Sequence, residues 1–172
     1  MLSELRNIYG LTVGITVFLT KFAIMAKEIE RKFLVESDAF MSHVTKSYDI
    51  IQGYLSDKPE ATVRIRLRGN EAFLTVKGLS HGSTRDEWEY PIPADDARSM
   101  LAICPPDEVL SKTRYICGRW EIDHFHGHHE GLILAEIELT SADESVEIPD
   151  FIGREVTGDP RYYNSVLAKP TH

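Results

Sequence analysis

Cysteine is scarce in this chain, and acidic residues outnumber basic ones. The 172 residues include only Cys104 and Cys117, without a C-x-x-C spacing, which excludes a disulfide scaffold or a cysteine-rich zinc module. Lysine and arginine number 19 against 27 aspartates and glutamates, a net charge of -8. That balance argues against nucleic-acid coats and membrane-surface modules, which are normally basic. We therefore expect no nucleic-acid partner, no membrane partner and a reducing, cytoplasmic location.

Long apolar runs and the common catalytic loops are also missing. The sequence contains no P-loop, G-x-S-x-G elbow or Rossmann fingerprint. The apolar stretch at residues 8–19 is shorter than the roughly 20 residues that a membrane helix needs. Met25-Ala26-Lys27 resembles a translation start, so we expect residues 1–24 to be a poorly structured extension or a wrongly assigned start. A signal peptide or anchor is the alternative, and residues 25–172 are predicted to be a single domain.

Alternation of apolar and polar residues dominates the chain after Met25 and predicts strands. Eight strands are predicted, at residues 27–35, 48–56, 61–69, 72–79, 85–92, 109–117, 119–126 and 131–140. Helices are predicted at residues 37–46, 94–103, 141–146 and 160–168. Gly69-Asn70 is a predicted hairpin turn. Many strands with few helices predict an α+β fold, namely a closed eight-stranded antiparallel β-barrel with helices packed outside.

The polar faces of these strands carry charges of both signs instead of the usual Thr, Ser and Gln. Residues spaced by two lie on one face of a strand, and this spacing groups the following side chains: the acids Glu28, Glu30, Glu87, Glu89, Glu121, Asp123, Glu136 and Glu138, and the bases Lys32, Arg64, Arg66, Arg68, Lys77, Arg85, Lys112 and Arg114. An ordinary solvated sheet face explains any single strand. In a closed barrel, however, all these charges meet in the interior.

A charged barrel interior requires a ligand, because buried charges are costly unless they are paired or bound. Clustered carboxylates favour a hard divalent cation such as Mg²⁺ or Mn²⁺. Clustered arginine and lysine side chains favour phosphate oxygens. The two sets together predict a site for metal and polyphosphate.

The apolar faces of the strands are predicted to point outward. Phe33, Phe73, Trp88 and Trp120 are interpreted as outward residues that need a cover. Helices would supply that cover, and a second copy of the chain in a homodimer is the alternative.

The pattern Glu28-x-Glu30-x-Lys32 resembles that of the CYTH superfamily, the triphosphate tunnel metalloenzymes. The resemblance extends over most of residues 26–169. Its matching stretches are E-I-E-R-K-F-L-V, Q-G-Y-L, V-R-I-R-L-R, L-T-V-K-G, S-K-T-R-Y, W-E-I-D, L-A-E-I-E-L and E-V-T-G-D-P-R-Y. One E-x-E-x-K alone would be weak, but eight stretches in the right order make chance an unlikely explanation.

The resemblance implies specific roles for the charged residues of the tunnel. The residues implied to bind phosphate are Lys32, Arg64, Arg66, Lys77, Lys112 and Arg114, with Arg161 reaching the tunnel from a helix. The residues implied to hold the metal are Glu28, Glu30, Asp123, Glu136 and Glu138, with Glu87 and Glu121 as further candidates. The substrate is then a small triphosphate, and the cofactor is Mg²⁺ or Mn²⁺.

Members of this family differ in reaction. The short form that begins E-I-E-R-K-F-L-V is similar to the bacterial tripolyphosphatase branch, in which a Tyr–Lys pair positions the attacking water. Tyr54 and Lys32 would form that pair in this chain, and Lys32 could act as a base if neighbouring cations depressed its pKa. The predicted function is metal-dependent hydrolysis of inorganic triphosphate or a nucleoside triphosphate. Adenylyl cyclase, thiamine triphosphatase and a non-catalytic polyphosphate or nucleotide binder remain alternatives.

Overall fold

The computed structural model describes residues 26–81 and 84–169, so the predicted extension at residues 1–24 lies outside the described residues. The strands are β1 (Ala26–Val35), β2 (Lys46–Lys58), β3 (Ala61–Arg68), β4 (Glu71–Lys77), β5 (Thr84–Pro91), β6 (Leu110–Cys117), β7 (Trp120–Phe125), β8 (Ile133–Glu138) and β9 (Ile152–Glu155). The helices are α1 (Ala94–Leu101) and α2 (Asn164–Leu167), with short 3₁₀ segments at Asp38–His43, Pro106–Glu108, Gly127–His129 and Pro160–Tyr162. All eight predicted strands are therefore present.

The sheet closes into an antiparallel barrel. Its strands follow the order β5-β4-β3-β2-β6-β7-β8-β1, and β5 pairs again with β1 to complete the circle. Residues 26–29 of β1 pair with β5, whereas residues 30–34 pair with β8 on the other side. The ninth strand adds to β1 beyond the point where β5 ends. The predicted closed eight-stranded barrel is thus confirmed.

Glycine turns join two of the consecutive strand pairs. Gly69 between β3 and β4 has φ +58°, and Gly118 between β6 and β7 has φ +63°, a left-handed conformation that glycine adopts at little steric cost. Both turns keep their strands in direct register, so Arg66 pairs with Phe73 and Arg114 pairs with Asp123.

The outward apolar residues of the strands form the hydrophobic core with the elements outside the barrel. Phe33, Trp120 and Ile137 are buried in one cluster with Phe40 and Phe151. Ile65 and Ala72 are buried beneath Ala97 of α1. The outward positions of Phe33 and Trp120 agree with the prediction. Phe73 does not, because it pairs with Arg66 on the inner face and its ring contacts the guanidinium of Arg68 at 4.9 Å.

One end of the barrel interior is filled with apolar side chains. At this end the inward charged positions of β6, β7 and β8 give way to Leu110, Phe125 and Leu134. Val156 and Leu167 pack onto them. We call residues 156–168 the C-terminal segment. Because it covers this end, Lys112 is only 1% exposed, whereas the side chains of Arg119 and Glu121 at the opposite end are 54% and 42% exposed.

Several sequence-based boundaries were wrong. Residues 141–146 form bends and turns instead of the predicted helix, since Glu144 accepts hydrogen bonds from the backbone and hydroxyl of Thr140. The predicted helix at 37–46 is a short 3₁₀ segment, and that at 160–168 is split at Tyr163. Strand β9 was not predicted. Its Glu155 accepts two hydrogen bonds from Arg31 of β1, a long-range pairing that local sequence does not reveal.

Candidate active site

The charged faces of the barrel strands enclose a polar cavity of about 300 Å³. The side chains that line it are Glu28, Glu30, Arg64, Arg66, Arg68, Lys77, Arg85, Glu87, Glu89, Arg114, Arg119, Glu121, Glu136, Glu138 and Asn164. Most of the predicted site residues are therefore brought together. Lys32, Tyr54, Lys112 and Asp123 lie on the same inner faces but outside the set of lining residues.

Three arginines of β3 point into this cavity one after another. The Nε atoms of Arg64, Arg66 and Arg68 are buried and have no hydrogen-bond partner in the described structure. Arg64 still donates to Thr75 and Glu89 through Nη2, and Arg68 donates to Glu71. Buried donors are almost always satisfied in proteins, so this row of unpaired N–H groups indicates a site for an anion.

Arg66 differs from the other two arginines in its ion pairing, and its pKa is lowered. Within residues 26–81 and 84–169, no carboxylate oxygen lies within 4.0 Å of its guanidinium. Burial lowers the pKa of Arg66 to about 9, and repulsion from Arg64 and Arg114 adds to the shift. The protein thus holds a cation at a place where an additional negative charge would be strongly favourable.

The acids and bases of β1, β4 and β5 neutralise each other on one side of the cavity. Glu28 accepts from Lys77 at 3.1 Å and from Arg85 at 2.6 Å. Burial would raise the pKa of Glu28, but Lys77 and Arg85 overcome burial and lower it. Glu87 lies 2.8 Å from Lys77, and its pKa is raised by burial and by Glu28. The sequence pattern placed Arg85 on this charged face, but no binding role was predicted for it.

A second group of charges lies deeper, around Glu136 of β8. Its carboxylate is 2.8 Å from Lys32 Nζ and 2.7 Å from Arg114 Nη2. Arg114 also donates to Asp123 at 2.6 Å and contacts Glu121. Burial would raise the pKa of Glu136, but Lys32 and Arg114 hold it well below the usual range. Asp123 is fully buried between Arg114 and Lys112.

Glu30 lies among other carboxylates of the site. It pairs across strands with Glu138. Burial raises the pKa of Glu30, and the carboxylates of Glu136 and Glu28 raise it further. No three His, Cys, Asp or Glu side chains of the described chain already converge closely enough to hold a metal ion, because Glu28 and Glu136 contact cations instead. The donor chemistry still fits a hard divalent cation, which would relieve this carboxylate repulsion.

Lys32 is held firmly in its charged form. Burial would lower its pKa, but Glu136 and Glu30 overcome burial and raise it. The suggestion that Lys32 acts as a base through a depressed pKa is therefore wrong for this arrangement. Its ammonium also donates to the carbonyl of Tyr162 at 3.3 Å, and its backbone N–H donates to Thr157. The C-terminal segment thus fixes both the backbone and the side chain of Lys32.

Tyr54 lies at the apolar end, against the cluster that contains Leu110 and Phe125. Its hydroxyl accepts a hydrogen bond from Gln52 at 3.0 Å. Burial raises the pKa of Tyr54, so the phenol stays neutral. No direct hydrogen bond joins Tyr54 to Lys32 among the described residues.

The C-terminal segment contributes one cavity residue that differs from the predicted one. Arg161 is exposed and forms an ion pair with Asp159 at 2.6 Å, so the structure does not bring it to the cavity. Asn164 lines the cavity instead, and its Oδ1 accepts from Lys112 Nζ at 3.4 Å. Burial lowers the pKa of Lys112 to about 8, although Asp123 opposes the shift.

The different positions of Arg161 and Asn164 lead to a paired prediction. Arg161→Ala should change KM for the anionic substrate less than threefold, because its side chain lies outside the cavity. Asn164→Ala should raise KM roughly tenfold, because a polar contact beside Lys112 is lost. Steady-state kinetics of both variants would check this. A larger effect of Arg161→Ala would mean that the segment rearranges when substrate binds.

Within the described residues, none of the helices is long and apolar enough to cross a membrane.

Comparison with known proteins identifies similar chains along nearly the whole barrel. The CYTH domain model matches residues 26–163. The chain is 45% identical over 149 residues to an inorganic triphosphatase of Acetivibrio thermocellus, covering 84% of this chain and 95% of that protein. It is 36% identical over 152 residues to an inorganic triphosphatase of Nitrosomonas europaea, covering 82% and 96%.

Solved structures show the same barrel. A crystal structure of an inorganic triphosphatase has 32% identity and a TM-score of 0.60, covering 86% of this chain and 99% of that chain. A protein from Pyrococcus horikoshii has a TM-score of 0.51 at 16% identity, covering 67% and 80%, and shares the fold alone. These matches confirm the predicted resemblance and the predicted architecture.

Proposed function

Because the chain belongs to the CYTH domain family, we propose that it is a divalent-metal-dependent phosphoanhydride hydrolase whose substrate is inorganic triphosphate. The curated relatives at 45% and 36% identity are both inorganic triphosphatases. The observation that carries the proposal is the row of unpaired Nε–H groups on Arg64, Arg66 and Arg68. A linear polyphosphate offers anionic oxygens along its whole length and would satisfy all three donors.

The cations of the cavity bind and orient this substrate. Positive charge is supplied by Arg64 and Arg66 of β3, by Lys77 of β4, and by Lys112 and Arg114 of β6. Phosphoryl transfer depends mostly on positioning and charge neutralisation, and fixed cations inside the barrel provide both. Arg68, two residues after Arg66 on the same strand, joins this set; the sequence pattern placed it on the charged face, but the family resemblance implied no role for it.

Glu28, Glu30, Glu136 and Glu138 are the residues that would hold the metal, and Mg²⁺ and Mn²⁺ both suit such oxygen donors. Asp123 is less suited, because it is fully buried between Arg114 and Lys112 and is not among the residues that line the cavity. For Glu87 and Glu121, which contact Lys77 and Arg114, we propose charge-balancing roles. A bound metal would act as a Lewis acid toward the phosphate oxygens.

Lys32 and Tyr54 act at the covered end of the tunnel. The charged ammonium of Lys32 binds an oxygen of the terminal phosphate and stabilises negative charge there. The neutral hydroxyl of Tyr54 retains its proton for a hydrogen bond, because its bond with Gln52 uses only an oxygen lone pair. We assign water positioning to Tyr54 and phosphate binding to Lys32. The small-molecule substrate, the absence of a nucleic-acid partner and a cytoplasmic location are parts of the same proposal.

The test is product analysis with purified protein. Inorganic triphosphate, ATP and thiamine triphosphate are offered separately with Mg²⁺, with Mn²⁺ and with chelator, and released phosphate and cyclic AMP are measured. We expect metal-dependent phosphate release from inorganic triphosphate, little release from the other two substrates and no cyclic AMP. Cyclic AMP from ATP would establish the cyclase alternative. Metal-dependent binding of triphosphate without turnover would show that the protein is a binding module. Undiminished turnover with chelator would refute the proposed metal dependence.

A further inference from the structure

Gln52 carries an unexplained polar atom at the covered end of the tunnel. Its side chain is completely buried on the inner face of β2, where its cross-strand neighbours are Arg66 and Leu110. The amide Nε2 donates to Tyr54 Oη at 3.0 Å. The amide Oε1 is buried and accepts no hydrogen bond from any described residue.

A buried acceptor without a donor lowers the stability of the folded protein, typically by an amount comparable to the contribution of one or two hydrogen bonds. Triphosphate cannot satisfy this atom, because its outer oxygens are acceptors as well. A divalent cation is also a poor match, because the cross-strand neighbours of Gln52 are a cation and an aliphatic residue, which offer no carboxylate to complete a metal site. The small donor that the reaction itself brings into the tunnel is water.

We propose that Gln52 Oε1 accepts a hydrogen bond from the attacking water and, with Tyr54, aligns this water with the terminal phosphorus. This inference rests on the proposed triphosphatase function and adds a positioning residue to it. Gln52 is suited to the task because its Nε2 is engaged by Tyr54, which fixes the amide with its oxygen free. A neutral acceptor also orients water without attracting the cations that hold the phosphates.

The step needs no strong base. The water oxygen forms a bond to the terminal phosphorus, the bridging P–O bond breaks, and its electron pair leaves with pyrophosphate. One water proton stays on the orthophosphate, and the other passes to the pyrophosphate oxygen that has been released. Because phosphoryl transfer has a loose transition state, Gln52 contributes by alignment and does not remove a proton.

The decisive variant is Gln52→Met, which keeps the length of the side chain and removes its hydrogen bonds. We expect kcat for inorganic triphosphate to fall about 100-fold while KM changes less than threefold. The melting temperature should stay the same or rise, because an unsatisfied acceptor is removed. Ile50→Met is the matched control, since Ile50 is also completely buried and lies two residues earlier on the same face.

A double-mutant comparison separates direct action on water from support of Tyr54. If Gln52 contacts the water, Gln52→Met/Tyr54→Phe should be at least tenfold slower than Tyr54→Phe alone. Equal rates for these two variants, or a Gln52→Met kcat within threefold of the wild type, would overturn the inference alone. A wild-type protein that binds triphosphate without hydrolysing it would contradict both the proposed function and this inference.

Discussion

Arg66→Met is expected to remove most of the triphosphatase activity while making the protein more stable. Arg66 is half-buried, has an unpaired Nε–H, and lacks a carboxylate partner within 4.0 Å in the described structure. Repulsion from Arg64 and Arg114 contributes to its lowered pKa. Methionine keeps the unbranched packing of the side chain but removes this repulsion. The melting temperature should therefore rise by about 2–4 °C, equivalent to about 1 kcal/mol.

The activity of Arg66→Met should fall at least about 100-fold in kcat/KM, equivalent to about 2.7 kcal/mol, because a forked, charge-assisted contact to phosphate is lost. Steady-state kinetics and thermal unfolding of the same preparation would measure both changes. Arg66→Lys keeps the charge without the fork and should recover part of the activity. Arg98→Met on exposed α1 is the control and should alter neither quantity. Loss of stability in Arg66→Met would show that Arg66 has a structural partner.

Glu136→Gln should affect stability in the opposite direction. Glu136 is 5% exposed, and its carboxylate contacts both Lys32 and Arg114. Removal of its charge leaves two buried cations without this partner, and breaking a buried ion pair on one side typically costs about 3–5 kcal/mol. We expect a decrease in melting temperature of roughly 6 °C or more for a domain of this size, together with a loss of activity of at least about 100-fold.

Glu138→Gln is the matched control for the stability of Glu136→Gln. It removes a carboxylate two residues further along β8, where the side chain is exposed, so its melting temperature should stay within about 1–2 °C of the wild type. Its activity is expected to fall through the proposed metal site. An unchanged melting temperature for Glu136→Gln would mean that Lys32 and Arg114 find other partners readily.

The sequence was sufficient to predict the barrel and most of its charged lining. Period-two alternation determines which side chains share a face, so Glu28, Arg64 and Arg66 could be assigned to the interior without coordinates. The resemblance to a known family then added the identity of the ligand. The predicted roles of these residues in binding and catalysis await the measurements described above.

Other features depend on contacts that no local pattern contains. The C-terminal D-P-R-Y stretch gave no indication that Arg161 would turn outward to Asp159 while Asn164 turned inward. Gln52 is neutral, so a search for clustered charges passes over it, and its free oxygen is recognisable only once its neighbours are known. The raised pKa of Lys32 likewise depends on two carboxylates that reach it from its own strand and from β8.

The pairing of β1 with β8 also determines when the site comes into existence during synthesis. Glu30 pairs with Glu138 and Lys32 pairs with Glu136. Residues near the start of the domain therefore gain these cross-strand partners only after residues near its end have been synthesised. Hairpins such as β3–β4 can form early, but the barrel cannot close until β8 has left the ribosome. Such a high contact order favours slow folding. A nascent chain truncated before β8 would lack one of the eight strands that close the charged tunnel and would have no enzymatic activity.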